Sequence, residues 1–243
     1  MGFTLDFLTK LCPGGRPYYK KVLGYGPIAY WPLWEASGVV AQCLVNPAQN
    51  GTHVGVTLGQ PGIGDGRTSP FYDGVLDYTD VYSVPLRDAF SAALGSVHGW
   101  FRVFNAGVWT DGAPRYVFML AADGNNRILL QRTGINNDLG AYYIAGGAIN
   151  STFTVAYGGW TDWLPFAMTW NTVANRFRLY IDGAQVGADV GGLGVWVGNL
   201  ANGWCELGSY SGAPTQPWHG YLAHMSVWDR ELTLGEVESL AVV

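Results

Sequence analysis

The side chains able to do chemistry in this chain are few and scattered. Glutamate occurs only at positions 35, 206, 231, 236 and 238. Glycoside hydrolysis needs two carboxylates flanking one bond at a fixed separation, and the sequence sets out no such pair. Glu35 follows an apolar run and reads as a turn residue. Glu206, within Trp204-Cys205-Glu206-Leu207, is the one acid in a strand-like context that invites a check, and a rim or inter-sheet hydrogen bond accounts for it. His53, His98, His219 and His224 stand apart, with no G-x-S-x-G elbow to accompany them. His98 and His219 each precede a glycine, where a turn hydrogen bond suffices. No H-E-x-x-H and no close Cys/His set offers zinc a site. The glycine runs at 146–147 and 191–194 lack the lysine and the following helix of a phosphate loop. The expectation is a protein without catalytic residues, hence not an enzyme, and without an obligate cofactor.

Two weaker constellations remain. Asp123 and Asn125 share a turn and Asp111 lies in another loop, so oxygen ligands for Ca²⁺ are conceivable there. Asp and Asn in a hairpin turn more often bond to their own backbone. The aromatic supply is the larger signal: 11 Trp is more than a core of this size needs. Sugar rings offer flat C–H faces to aromatic side chains, with polar partners beside the ring for their hydroxyls. Trp109, Trp160, Trp163, Trp196 and Trp218 read as loop or strand-end residues and are the candidates for carbohydrate binding. Trp31, Trp100, Trp170 and Trp228 read as core by alternation. The same loop tryptophans could instead close the ends of the fold or fill subunit contacts, where Trp is equally enriched.

The elements that must position these residues are strands. In a chain of 243 residues, 35 Gly and 14% aromatics beside only 13% charged residues favour many turns joining short strands over helices. In 98–104, Trp100, Arg102 and Phe104 alternate with Phe101 and Val103. In 176–182, Phe177, Leu179 and Ile181 alternate with Arg176, Arg178 and Tyr180. Segments 116–121 and 128–132 flank Asp123-Gly124-Asn125-Asn126, a hairpin signal. Segments 69–71 and 75–78 flank the turn pair Asp73-Gly74. Residues 46–70, rich in Asn, Gly and Pro, read as a long loop with one short strand near 54–58. Thr233-Leu234-Gly235-Glu236 has capping-box spacing and predicts one short C-terminal helix. With no βαβ alternation and no fixed-period repeat, the expected fold is all-β: a two-sheet antiparallel jelly-roll sandwich over 28–243. Residues 1–27 read as a separate N-terminal arm, whose Phe3, Phe7, Leu8, Tyr18 and Tyr19 would dock on a partner.

The charge balance narrows the partners. Net charge is −5 with only 13 Lys and Arg and no basic run, which argues against nucleic acid. No apolar run reaches spanning length, so membrane insertion is not expected. Met1–Asp6 lacks the basic start of a secretory signal, and the sequons at Asn50 and Asn150 are read as chance. Cys12, Cys43 and Cys205 form no C-x-x-C unit, and a disulfide framework is not expected. A surface of low charge suits contact with a neutral partner, protein or sugar, and a homo-oligomer is expected.

Four segments, in order along the chain, resemble the concanavalin A-like lectin/glucanase superfamily in its laminin-G-like jelly-roll branch. They are Ala29-Tyr30-Trp31-Pro32-Leu33-Trp34-Glu35-Ala36-Ser37-Gly38, Phe71-Tyr72-Asp73-Gly74-Val75-Leu76-Asp77-Tyr78, Trp170-Asn171 through Asp182-Gly183, and Trp218-His219-Gly220-Tyr221-Leu222 through Leu232. The resemblance implies the sandwich fold. The sandwich hydrolases of that fold cluster their acids roughly as Glu-x-Asp-x-x-Glu, and no such cluster exists here. The family's acidic pair after the closing-strand glycine is replaced by Tyr221-Leu222, which weakens any calcium site that depends on it. The opening from Tyr18 to Tyr30 is similar to lectin-like domains of tailed-phage structural proteins. That likeness implies a virion protein, made in the host cytoplasm, that decorates the capsid or sits on the tail and binds other virion subunits. Glycan attachment is the alternative function.

Overall fold

Alternating side chains, not helix periodicity, dominate the chain, and among the described residues the backbone follows them into sixteen strands. The computed structural model describes residues 17–134, 138–156, 159–211 and 215–243, with positions 148 and 150–156 described by their backbone alone. In chain order the strands are β1 (Ala29–Trp31), β2 (Val40–Ala41), β3 (Gly51–Val54), β4 (Thr57–Pro61), β5 (Thr68–Asp73), β6 (Tyr78–Asp80), β7 (Leu94–Val103) and β8 (Arg115–Asp123). There follow β9 (Asn126–Arg132), β10 (Asp138–Ala145), β11 (Ala148–Ala156), β12 (Leu164–Asn171), β13 (Arg176–Ile181), β14 (Ala184–Val190), β15 (Cys205–Leu207) and β16 (His219–Trp228). Short α-helices accompany them: α1 (Tyr18–Gly24), α2 (Val84–Ala89) and α3 (Leu234–Leu240).

The strands form two antiparallel sheets of eight. The first runs β14-β13-β12-β7-β16-β5-β4, with β1 also paired to β16. The second runs β11-β10-β9-β8-β15-β6-β3-β2. Period-2 alternation sends one set of side chains from each sheet into the space between them. Phe101 and Val103 of β7 and Phe177, Leu179 and Ile181 of β13 are buried there against Phe118, Leu120, Ile128, Leu130 and Tyr143 of the second sheet. Phe166 and Phe118 stack across the gap with ring centroids 5.6 Å apart. Trp31 and Trp170 lie in this core, as alternation requires. The all-β sandwich with its C-terminal helix is therefore the observed architecture. Thr233 caps α3 as the sequence predicts: its hydroxyl accepts from the Glu236 amide while the Glu236 carboxylate accepts from the Thr233 amide.

A second apolar cluster covers half of the first sheet's outer face. Trp100, Ala167, Tyr180, Ala223 and Trp228 point outward and are roofed by α1 and α3. This corrects the expectation for Tyr18. Its ring is 3% exposed, its hydroxyl donates to the Leu240 carbonyl at 2.7 Å, and the Trp100 indole donates to it at 2.8 Å. Lys21 caps the carbonyls of Ser239 and Val242, and the Tyr25 carbonyl takes the Trp228 indole and Arg230. Residues 17–25 are thus packed onto this sandwich, with Tyr18 and Val22 buried inside the chain. Burying Tyr18 and Val22 is worth about 1.5–3 kcal/mol each, which offsets part of the backbone entropy lost in ordering this helix. Tyr19 is half-buried against Trp34 at 5.4 Å. Phe3, Phe7 and Leu8 lie outside the described residues.

The 46–70 segment is also more structured than its composition suggests. It holds β3, β4 and the start of β5. β4 is an edge strand of exposed and half-exposed residues, so it carries no apolar alternation by which it could be read. Asp73-Gly74 does not close a hairpin, because β5 and β6 belong to different sheets. The Asp77 carboxylate accepts the Asp73 amide at 2.8 Å and shapes the crossing, leaving Val75 and Leu76 about three-fifths exposed.

Candidate functional site

The uncovered half of the first sheet's outer face is aromatic. Register, not sequence proximity, builds it. Tyr221 on β16 lies opposite Phe71 on β5 and opposite Arg102 on β7. Trp163, just before β12, extends the row past Arg102, since Leu164 is opposite Phe101. Neighbouring strands are spaced about 4.8 Å apart, so the row Phe71–Tyr221–Arg102–Trp163 spans about 14 Å. The Arg102 guanidinium sits 4.1 Å from the Tyr221 ring centroid and 5.3 Å from that of Trp163. Phe71 meets Tyr221 at 5.1 Å and Phe104 at 5.5 Å, and Phe104 stacks on His219 at 4.9 Å with planes 11° apart. Phe104 is 50% exposed, and the others are half-buried. Gly220 makes the row possible. Its φ is 153°, and a Cβ there would stand 2.0 Å from the Arg102 carbonyl, so only glycine lets β16 close on β7 beside Tyr221.

The sequence-derived tryptophan candidates separate. Trp163 belongs to the row. Trp160 is 45% exposed three residues earlier, and its carbonyl accepts the Trp109 indole N–H at 2.6 Å. Trp109 and Trp218 are fully buried in the main core and cannot meet a ligand, which corrects both. Their loops fold over the sandwich ends. Trp196 is half-buried beside Phe90 and Tyr143 in a shallow groove with Leu193 and Thr172, away from the row. The calcium candidates are also engaged. Asp123 accepts the Asn125 amide and the Asn126 side chain, and Asp111 is paired with Arg115 at 2.7 Å and Arg132 at 3.2 Å. The Asn125 side chain lies beside Gly147 of the β10–β11 turn. Among the described residues no three His, Cys, Asp or Glu side chains gather as a metal site.

The histidines that stand apart in sequence find acids in space. At a bulge in β16, His224 has φ 54°. Its Nδ1 lies 2.6 Å from the Tyr30 hydroxyl and its Nε2 lies 3.1 Å from the Asp65 carboxylate. Burial drives the Tyr30 pKa far up, so the phenol keeps its proton and donates to Nδ1; Nε2–H then donates to Asp65. Burial lowers the His224 pKa against the pull of Asp65, and His224 holds Asp65 low against burial, so a neutral imidazole meets a carboxylate. Glu35 is no turn residue. It is buried, accepts the Gln42 amide at 2.8 Å and lies 3.4 Å from His53, whose Nδ1 meets Thr79 at 2.9 Å. Both networks pin loops to sheets and lie out of reach of solvent. His98 lies buried within β7, not at a turn.

Glu206 is the unusual acid. It points away from the core on the second sheet, opposite Asp80 on β6 and Met119 on β8. It is fully buried, and neither carboxyl oxygen has a hydrogen-bond partner among the described residues. Burial, reinforced by the Asp80 charge, pushes its pKa up to about 8; the Ser209 hydroxyl offsets part of this without reaching hydrogen-bonding geometry. Burial also raises Asp80.

A laminin G family model, described as the concanavalin A-like lectin/glucanases superfamily, matches residues 78–238. The chain belongs to that superfamily. The match takes in β6 through most of α3, so it covers three of the four row residues and leaves Phe71 outside. A search of curated proteins gives no match. Solved structures with this superfamily's sandwich are similar in fold. One is domain 4 of AbnA, an extracellular arabinanase from Geobacillus stearothermophilus in complex with arabinotriose (TM-score 0.60, 15% identity, 89% of this chain and 98% of that one). Others are Trypanosoma rangeli sialidase (0.60, 10%, 88% and 32%) and the botulinum neurotoxin serotype G binding domain (0.64, 12%, 89% and 50%). The chain therefore spans about a third of the sialidase and half of the toxin binding domain. At these identities the likeness is one of fold. Within the superfamily scaffold, the open cleft between β13–β14 and α3 is a further concavity, but its charges are matched internally: Arg176 to Glu231 at 2.6 Å and Arg178 to Asp189 at 2.6 Å.

Proposed function

We propose that this chain is a non-catalytic, lectin-like module that binds carbohydrate on the outer face of its first sheet, along Phe71, Tyr221, Arg102 and Trp163. The observation that carries the reading is that row: aromatic side chains, half-buried and held in register, around one guanidinium. Flat C–H faces of sugars pack on such rings, and N–H donors beside them satisfy hydroxyls. The arabinanase domain solved with arabinotriose has the same fold, which supports the reading by analogy only. Trp160 would extend the surface. Phage-particle assembly rests on the Tyr18–Tyr30 resemblance, and both of those side chains are buried inside this chain.

A glycan array followed by isothermal titration tests the proposal. Phe104→Ala and Tyr221→Ala are expected to weaken a hit at least tenfold, with Tm within a few degrees of wild type. If no glycan binds below millimolar, and the row proves buried against a second copy, the protein works through assembly and the lectin name describes only the fold.

A further inference from the structure

We infer that the glycan held on this row is acidic, a sugar chain whose carboxylates pair with Arg102. The inference rests on the carbohydrate reading above and adds the ligand's charge. Several arginines of this chain are matched to carboxylates: Arg115 to Asp111, Arg176 to Glu231, Arg178 to Asp189 and Arg230 to Glu236. Arg67 and Arg127 sit over aromatic rings as Arg102 does, Arg127 with a hydrogen bond to the Tyr210 hydroxyl, but neither belongs to the row. Arg102 has neither an ion pair nor a hydrogen bond among the described residues, although Asp and Glu outnumber Lys and Arg by 18 to 13. Its guanidinium is fixed by the rings of Tyr221 and Trp163. A guanidinium carries its N–H donors along its edge, and those of Arg102 have no hydrogen-bond partner among the described residues, so that edge is available to bind a carboxylate bidentately.

The surrounding charges agree. Asp73, opposite His219, already accepts the Val75 amide at 2.7 Å, and Asp162, exposed beside Trp163, makes no pair with Arg102. Burial and the Arg115 charge hold His219 below the usual imidazole range, so it is a neutral polar neighbour at pH 7. A neutral sugar seated on the row would strip water from a lone cation without replacing its counter-charge, which is costly, whereas a carboxylate turns the same desolvation into a charge-assisted contact.

The test is an array on which oligogalacturonate, oligomannuronate and sialylated glycans are each printed beside their methyl esters, together with neutral chains, and titration of the hits. The carboxylate forms are expected to bind at least tenfold tighter than their esters, and Arg102→Gln is expected to erase the difference. Should Arg102→Gln fail to fold, Arg102→Lys keeps the charge without the planar fork and is expected to lose most of the preference. Equal affinity for acid and ester, or a preference that survives both substitutions, overturns the inference. Hits on neutral chains alone overturn it and leave carbohydrate binding standing, while no hit of any kind removes both.

Discussion

Replacing Glu206 with glutamine should stabilise this protein at neutral pH and flatten its pH dependence. In the native state the carboxyl keeps its proton up to a pKa of about 8, whereas an ordinary glutamate titrates at 4.5. Below pH 4.5 both folded and unfolded chains hold the proton, and Glu206 contributes no pH dependence. Between 4.5 and 8 the unfolded chain releases it and the folded chain does not. The stability fully present at acid pH is therefore lost as pH rises, by about 1.4 kcal/mol per unit. Over the whole interval the loss is on the order of 5 kcal/mol, a large share of a typical folding free energy. The glutamine amide that replaces the carboxyl is neutral throughout and nearly isosteric. Both it and the protonated acid leave buried polar atoms unpaired, so that cost cancels in the comparison. Urea unfolding followed by tryptophan fluorescence at pH 4, 5.5, 7 and 8.5 measures the difference directly. Wild type and Glu206→Gln should agree at pH 4 and differ by about 3 kcal/mol at pH 7, the substitution being the more stable. Parallel pH profiles for the two proteins would refute the reasoning, because they would mean that Glu206 ionises alike in both states.

Other outcomes follow from contacts already described. Tyr30→Phe strands the buried Nδ1 of His224 and should cost about 1–3 kcal/mol in urea unfolding. Deleting residues 1–27 removes Tyr18 and Val22 from the roof over Trp100 and should cost roughly 3–6 kcal/mol, seen as a large drop in Tm; an unchanged Tm would show that α1 contributes nothing. Gly220→Ala drives a Cβ toward the Arg102 carbonyl and should both destabilise the fold and abolish binding to the row. The Cys205 thiol, fully buried and pushed up to about 12 mainly by that burial, should resist alkylation in the native protein and react only on unfolding.

Strand faces and turns were legible because they depend on local pattern. Alternation in 98–104 and 176–182 assigns Phe101 and Phe177 inward and Arg102 and Arg178 outward, and the capping box at Thr233 is a three-residue signal. The row was not legible as a row. Phe71, Arg102, Trp163 and Tyr221 come from four separate stretches, and only cross-strand register brings them side by side. The pairing of His224 with Asp65 was hidden for the same reason, as was that of His53 with Glu35. Trp109 and Trp218 sit in turn-like sequence, yet their loops fold back over the core, and composition cannot distinguish a loop that covers from one that presents. Trp100 and Trp228, read as inter-sheet core by alternation, instead lie on the outer face of the first sheet, and they are buried because α1 and α3 lie on top of them.

The central claim is that ligand meets the protein at Trp163 and its row. The most direct measurement is the ¹⁹F spectrum of fluorotryptophan-labelled protein titrated with a pool of neutral and uronic acid oligosaccharides, with the Trp163 resonance assigned through Trp163→Phe. The account predicts that the Trp163 resonance moves saturably while those of buried Trp109 and Trp218 hold still. Movement of Trp196 alone, or of no resonance at all, would contradict it.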